Sequence, residues 1–197
     1  MSGDTTIADI GETLIRLLRD GMSDLVAPNA IALQSPADLA GQTARVTLFL
    51  CGIAENPYMR NQEPAYRSGE RLALAPLVVD LRYMLTVYSY VQDLTERSLE
   101  EHRLLGRAMR LLHEHASIGG SMLQGGLSGG TARLRIALES VPLSEITELW
   151  SAFPGQAMRP SIFYTVSSAT IEPAVVATPS RVSVRSARYL GHSGEEG

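Results

Sequence analysis

Leu77-Val78-Val79-Asp80-Leu81-Arg82-Tyr83-Met84-Leu85-Thr86-Val87 decides the fold: Leu77, Val79, Leu81, Tyr83, Leu85 and Val87 alternate strictly with a second set that holds Asp80 and Arg82. Period two is the mark of an extended chain whose successive side chains point to opposite faces. At ~3.3 Å per residue these positions span roughly 33–36 Å, long enough for a strand that runs the full width of a sheet. Upstream, Val46, Leu48 and Leu50 alternate with Thr47, Phe49 and Cys51. Both sets are mostly apolar, which predicts a second strand, covered on both faces and placed in the middle of the sheet. Residues 56–69 between the two are polar and hold Pro57 and Pro64, a long hairpin loop.

Further towards the N-terminus, residues 31–33 read as a short strand stopped by Ser35-Pro36. Ile7, Ile10, Leu14, Leu17 and Leu18 fall on one stripe of an amphipathic helix over residues 5–18 that ends near Gly21. Downstream, Asp93 with Glu96 three positions on forms an N-terminal cap for a helix reaching about His115, its inner stripe being Leu104, Ala108, Leu111 and Leu112. Residues 119–130 are too rich in glycine for helix or strand and predict a flexible loop. Arg133 and Arg135 then alternate with Leu134, Ile136 and Leu138, a strand basic outside and apolar inside; Pro142 and Ser144 open a short helix through Trp150. A last strand spans residues 161–166. The expectation is an α+β fold: a mainly antiparallel sheet of about four to five strands packed against two or three helices.

After Pro173 the composition shifts to small residues, serines and spaced arginines with no apolar stripe. Residues 1–173 are therefore read as one core and 174–197 as a C-terminal arm. A chain of 197 residues supports one well-packed core. With 45% hydrophobic and 19% charged residues it has globular, not disordered, composition. The net charge of −4 gives no electrostatic reason to approach nucleic acid or an anionic membrane. No apolar stretch is long enough to span a bilayer, and residues 1–10 lack the basic flank of a secretory leader. The single cysteine, Cys51, closes no intrachain disulfide and is expected as a buried free thiol in a reducing cytoplasm.

No catalytic, cofactor-binding or metal-binding set emerges. His113 and His115 are two apart, and on a helix such positions diverge by about 200°, so they do not share one ion as an i, i+4 pair does. The glycine-rich stretch lacks the Gly-Lys-Ser/Thr ending of a phosphate loop and follows a helix where such a loop follows a strand. Glu100, Glu101 and Glu114 fall on a charged helix face and read as solvated. An enzyme would need a site assembled from distant residues such as His102, His113 and Glu114. What remains is surface for contacts. The polar loop with Arg60 and Asn61, and the alternation Arg181, Val182, Ser183, Val184, Arg185 in the arm, supply the candidate assembly contacts Arg60, Asn61, Arg181, Val182, Val184 and Arg185.

Several stretches taken in order carry a resemblance: residues 7–14, Glu55-Asn56-Pro57 with Arg60-Asn61, residues 76–85, Leu94-Thr95-Glu96, residues 102–109, and Leu149-Trp150-Ser151-Ala152. Over residues 7–166 the chain resembles the tail-terminator or cap family of phage-tail-like extracellular contractile injection systems. The resemblance implies a structural, non-enzymatic subunit of a homo-hexameric ring at the baseplate-distal end. There it closes the inner tube, engages the last sheath ring and ends polymerisation. It implies tube and sheath proteins as partners, no cofactor, and a cytoplasmic protein incorporated into the particle. A terminator or connector of a true contractile phage tail shares this geometry.

Overall fold

The computed structural model describes residues 3–39, 43–60, 65–67, 71–73, 75–173 and 176–177. In chain order the elements are helix α1 (Thr6–Gly21), strands β1 (Ile31–Leu33), β2 (Val46–Glu55), β3 (Ala65–Arg67), β4 (Arg71–Ala73) and β5 (Leu77–Val87), helix α2 (Leu94–Glu114), strands β6 (Ser117–Gly119) and β7 (Arg133–Glu139), helix α3 (Leu143–Ser151), and strands β8 (Ser161–Ile171) and β9 (Val176–Ala177). Six strands form one sheet in the order β1-β2-β5-β8-β7-β6. Only β1 and β2 run parallel; the other neighbours are antiparallel. The α+β architecture is the expected one, with more strands than expected. β6 is three residues, Ser-Ile-Gly, too short to show a period. The segment read as a hairpin loop contains β3, and β3, β4 and β9 make a separate three-stranded sheet.

The two faces of β5 do what its alternation requires. Val79, Leu81, Tyr83, Leu85 and Val87 enter the main core with Ile10, Leu14 and Leu18 of α1 and Leu104, Ala108 and Leu112 of α2. Burying each such aliphatic side chain contributes on the order of 2 kcal/mol. On the opposite face Met84 joins Trp150, Phe153 and Phe163 in a second, smaller core under α3. There Phe153 stands edge-on to Phe49 and to Trp150, with centroids 5.8 and 5.6 Å apart. The Trp150 indole N–H donates to Ser161 Oγ at 3.1 Å, which makes it a core anchor. α2 starts where its cap residues place it: Asp93 Oδ1 accepts the Glu96 N–H at 2.9 Å.

Four expectations change. The glycine-rich stretch is tied down, with Leu123 fully buried, the Gln124 N–H donating to Thr13 Oγ1 at 3.0 Å and the Gly126 N–H donating to Asp9 Oδ2 at 3.0 Å. Its partners sit on α1, more than a hundred residues away, where no local pattern reveals them. The last strand runs to Ile171, beyond the expected 166, because the β5–β8 ladder slips one residue between Val79 and Leu81 and continues through Ala169, Thr170 and Ile171. β2 is interior and buried on both faces only at Val46–Leu48, while its last three residues are exposed. Cys51, skipped by the register between Leu50 and Gly52, is half-buried where full burial was expected; burial still pushes its thiol pKa up.

Candidate assembly surface

Of the predicted contact residues, Arg60 lies among the described ones, in the turn that closes β2. The turn is built on Asn56, a buried side chain whose Nδ2 donates to both Asp80 carboxylate oxygens at 3.0 and 3.2 Å. Its Oδ1 accepts the Tyr58 N–H at 3.0 Å, the side-chain mimic of a backbone turn. This geometry presents Tyr58, 93% exposed. Arg60 Nε and Nη2 both donate to Glu55 Oε2, at 2.9 and 2.7 Å. That hydrogen bond holds the Glu55 carboxyl below its ordinary range. Asn61, Arg181, Val182, Val184 and Arg185 lie outside the described residues.

Two sheet edges come from the strand order, which the sequence reading did not reach. β1 pairs with β2 through Val46, Thr47 and Leu48 alone, and Gln34 N–H closes the contact on Leu48 O at 3.1 Å. From Phe49 to Glu55 no strand among the described residues pairs with the outer side of β2. At the other end of the sheet β6 covers β7 at Arg133, Leu134 and Arg135, and Ile136 N–H donates to Ala116 O at 2.9 Å. Ala137, Leu138 and Glu139 have no strand on that side among the described residues. Leu138, expected inside, is 58% exposed. It borders a cleft of about 300 Å³ between α2 and the sheet, lined also by Met109, Leu112, His113, Ile136 and Tyr164. Alternation assigned Leu138 to the right face but could not show that the core stops short of it.

The charged groups expected to be solvated include internal braces. Glu101, 5% exposed, takes the Arg159 Nη1–H at 3.0 Å and the Ser89 N–H at 3.2 Å. Glu100 pairs with Arg45 at 2.8 Å and accepts from Ser89 Oγ, and these contacts, the Ser89 bond foremost, hold its carboxyl below the ordinary range. Both correct the solvated reading: the partners of these carboxylates come from segments that the helix pattern does not reveal. Arg82 binds Glu139 and Glu145 and lies over the Phe163 ring, 5.2 Å from its centroid, tying β5, β7, β8 and α3 together.

The residues named for an enzyme do not converge. His102 and His113 are both exposed on α2, and eleven residues of helix separate them by about 16 Å. Among the described residues no group of three His, Cys, Asp or Glu is placed to hold a metal ion. The glycine-rich stretch presents no free nest for a phosphate, since the Gln124 and Gly126 amides are held by Thr13 and Asp9, and a carboxylate there repels an anion. No helix among the described residues is long and apolar enough to cross a membrane.

Comparison with known proteins gives a family and a fold. The model of a family described as the Pvc16 N-terminal domain matches residues 9–185, taking in the predicted core and the first part of the predicted arm. Among solved structures, the fold is similar to the sheath/tube terminator of PVC, an extracellular contractile injection system, in its extended state, with a TM-score of 0.63 at 16% identity. That match covers 95% of this chain and 65% of the other. It is also similar to the tube-terminating cap of the anti-feeding prophage, with a TM-score of 0.60 at 17% identity, covering 92% of this chain and 61% of that one. The chain thus spans a little under two thirds of the length of each. A search of curated proteins finds no match.

Proposed function

Because the chain belongs to the Pvc16 N-terminal domain family, the tail-terminator family of contractile injection systems, we propose that it is a structural cap subunit: copies of it form a hexameric ring at the baseplate-distal end of such a particle, close the inner tube and engage the last sheath ring. The family match across residues 9–185 carries this reading. It is supported by the similarity of the fold to a sheath/tube terminator and a tube-terminating cap.

The mechanism is steric and thermodynamic. The end of a growing tube presents the same unsatisfied interface as every layer below it. A ring complementary to that interface on one face and not on the other lets no further layer add. A durable cap buries on the order of 1,600 Å² or more per contact. Inner tube and sheath proteins are the partners, assembly takes place in the cytoplasm, and residues 174–197 act as an arm on the core of residues 1–173.

The test is reconstitution of particles from the full gene set with and without this chain. With it, electron microscopy shows tubes and sheaths of uniform length; without it, lengths become uncontrolled or the sheath unstable. Uniform, stable particles in its absence, or a different polypeptide at the distal tip, refute the reading.

A further inference from the structure

We propose that the ring closes edge to edge, the end of β7 and the outer edge of β2 that no strand pairs among the described residues joining from one copy to the next, and that the α2–β7 cleft receives the apolar end of the neighbour's β2. This rests on the hexameric reading above and names the surface it would use.

The strand registers bring the two edges to the same level. Leu138 stands opposite Tyr164, Tyr164 opposite Tyr83, and Tyr83 opposite Leu50. Likewise Glu139 leads through Phe163 and Met84 to Phe49. β1 stops at Leu48, so the gap on β2 begins at the level where β7 ends. Directions also fit: three antiparallel steps separate β2 from β7, so β7 of one copy beside β2 of another is again antiparallel. The two edges differ, and a contact between different patches of one molecule generates rings, where a self-complementary patch stops at a dimer.

The side chains agree with the backbone. Leu138 on β7 and Ile53 on β2, 54% exposed, are large apolar residues on the main-core face at opposite edges. Uncovered edges of this kind template non-specific pairing unless something takes them. A three-residue ladder alone falls far short of the ~1,600 Å² of a stable contact. The cleft beside Leu138 supplies further apolar surface for Ile53 and Tyr58.

Two variant sets of the full chain test this, each assayed alone and on assembled tubes. In a Cys51→Ser background, Leu50→Cys and Leu138→Cys are made singly and together. Oxidation should convert the double variant into a ladder of covalent oligomers, and an equimolar mixture of the single variants into dimers only. Leu138→Arg, at a half-exposed position that leaves the core intact, should weaken self-association by on the order of tenfold or more with an unchanged circular dichroism spectrum. Rings that persist in Leu138→Arg with no cross-link overturn this contact and leave the cap reading standing. Protection of the Leu50→Cys thiol in monomers, lost when residues 178–197 are removed, gives the edge to the chain's own arm and also overturns it. Wild-type protein that never forms a ring, alone or on tubes, overturns both.

Discussion

Replacing Asp9 by alanine removes the tether that holds Gly126 to α1, leaving the Gln124–Thr13 bond in place, and the structure sets what that costs. The Asp9 carboxylate, 8% exposed, accepts the Thr5 hydroxyl and the Gly126 amide, each at 3.0 Å. Hydrogen bonds to a charged group contribute roughly 1.5–3 kcal/mol each, but both donors here are exposed and regain water, so about 2 kcal/mol in total is expected. For a chain of this size that lowers Tm by about 4–8 °C. Gly125 supplies a second handle: it sits at φ +57°, and a Cβ built on it falls 2.1 Å from Asp9 Oδ1. Gly125→Ala therefore carries about 1 kcal/mol of left-handed strain and also displaces the carboxylate, about 3 kcal/mol together. The double variant should cost about the same 3 kcal/mol, because the tether is lost only once. Urea unfolding of the four proteins measures the coupling, and amide exchange at Gly126 should speed up in all three variants. Costs that simply add to about 5 kcal/mol, or an unchanged Gly126 exchange rate, refute the tether.

Arg82→Ala removes the cation between Glu139 and Glu145 and should destabilise by about 1–3 kcal/mol, with faster amide exchange in α3; exchange changes confined to β5 would refute its bracing role. Glu100 has a folded-state pKa below its ordinary 4.5, so its contribution is present above that value and is lost as pH falls through the lower, folded value. Glu100→Gln should flatten the acid side of the stability-versus-pH curve between wild type and variant, and parallel curves would count against it. Truncation after Pro173 should leave a soluble, cooperatively folding core and weaken ring or sheath association, because that stretch contributes only the two-residue β9 pairing with β4 among the described residues. Insolubility, or a Tm lower by tens of degrees, would place the arm inside the core.

How much was legible depended on whether the partner of a residue was local. The alternation in β5 and the Asp93 cap of α2 are sequence-local, and both stand where the pattern put them. The order of residues 119–130 was not legible, because Asp9 and Thr13 lie on a helix at the other end of the chain. Glu101 looked solvated because its partner Arg159 is 58 residues away. β8 hid its second half behind Ser167, Ser168 and Thr170, polar residues around a positive φ at Ser168. Of the candidate contact residues, Arg60 lies among the described ones, in the turn after β2, where it pairs with Glu55. The sheet edges follow from strand order, which hydrophobic period does not encode, so Leu138 read as an ordinary inward residue.

The reach of α1 across the chain has a consequence for biosynthesis. Its first turn closes on β8 through the Thr6 hydroxyl and Thr170 O, 3.3 Å apart in space and 164 residues apart in sequence. At ribosomal speeds of about 5–20 residues per second, the first turn of that helix waits roughly 8–33 s before this partner on β8 emerges. A nascent chain stalled short of β8 has no finished sheet, because β8 is the strand that joins β5 to β7.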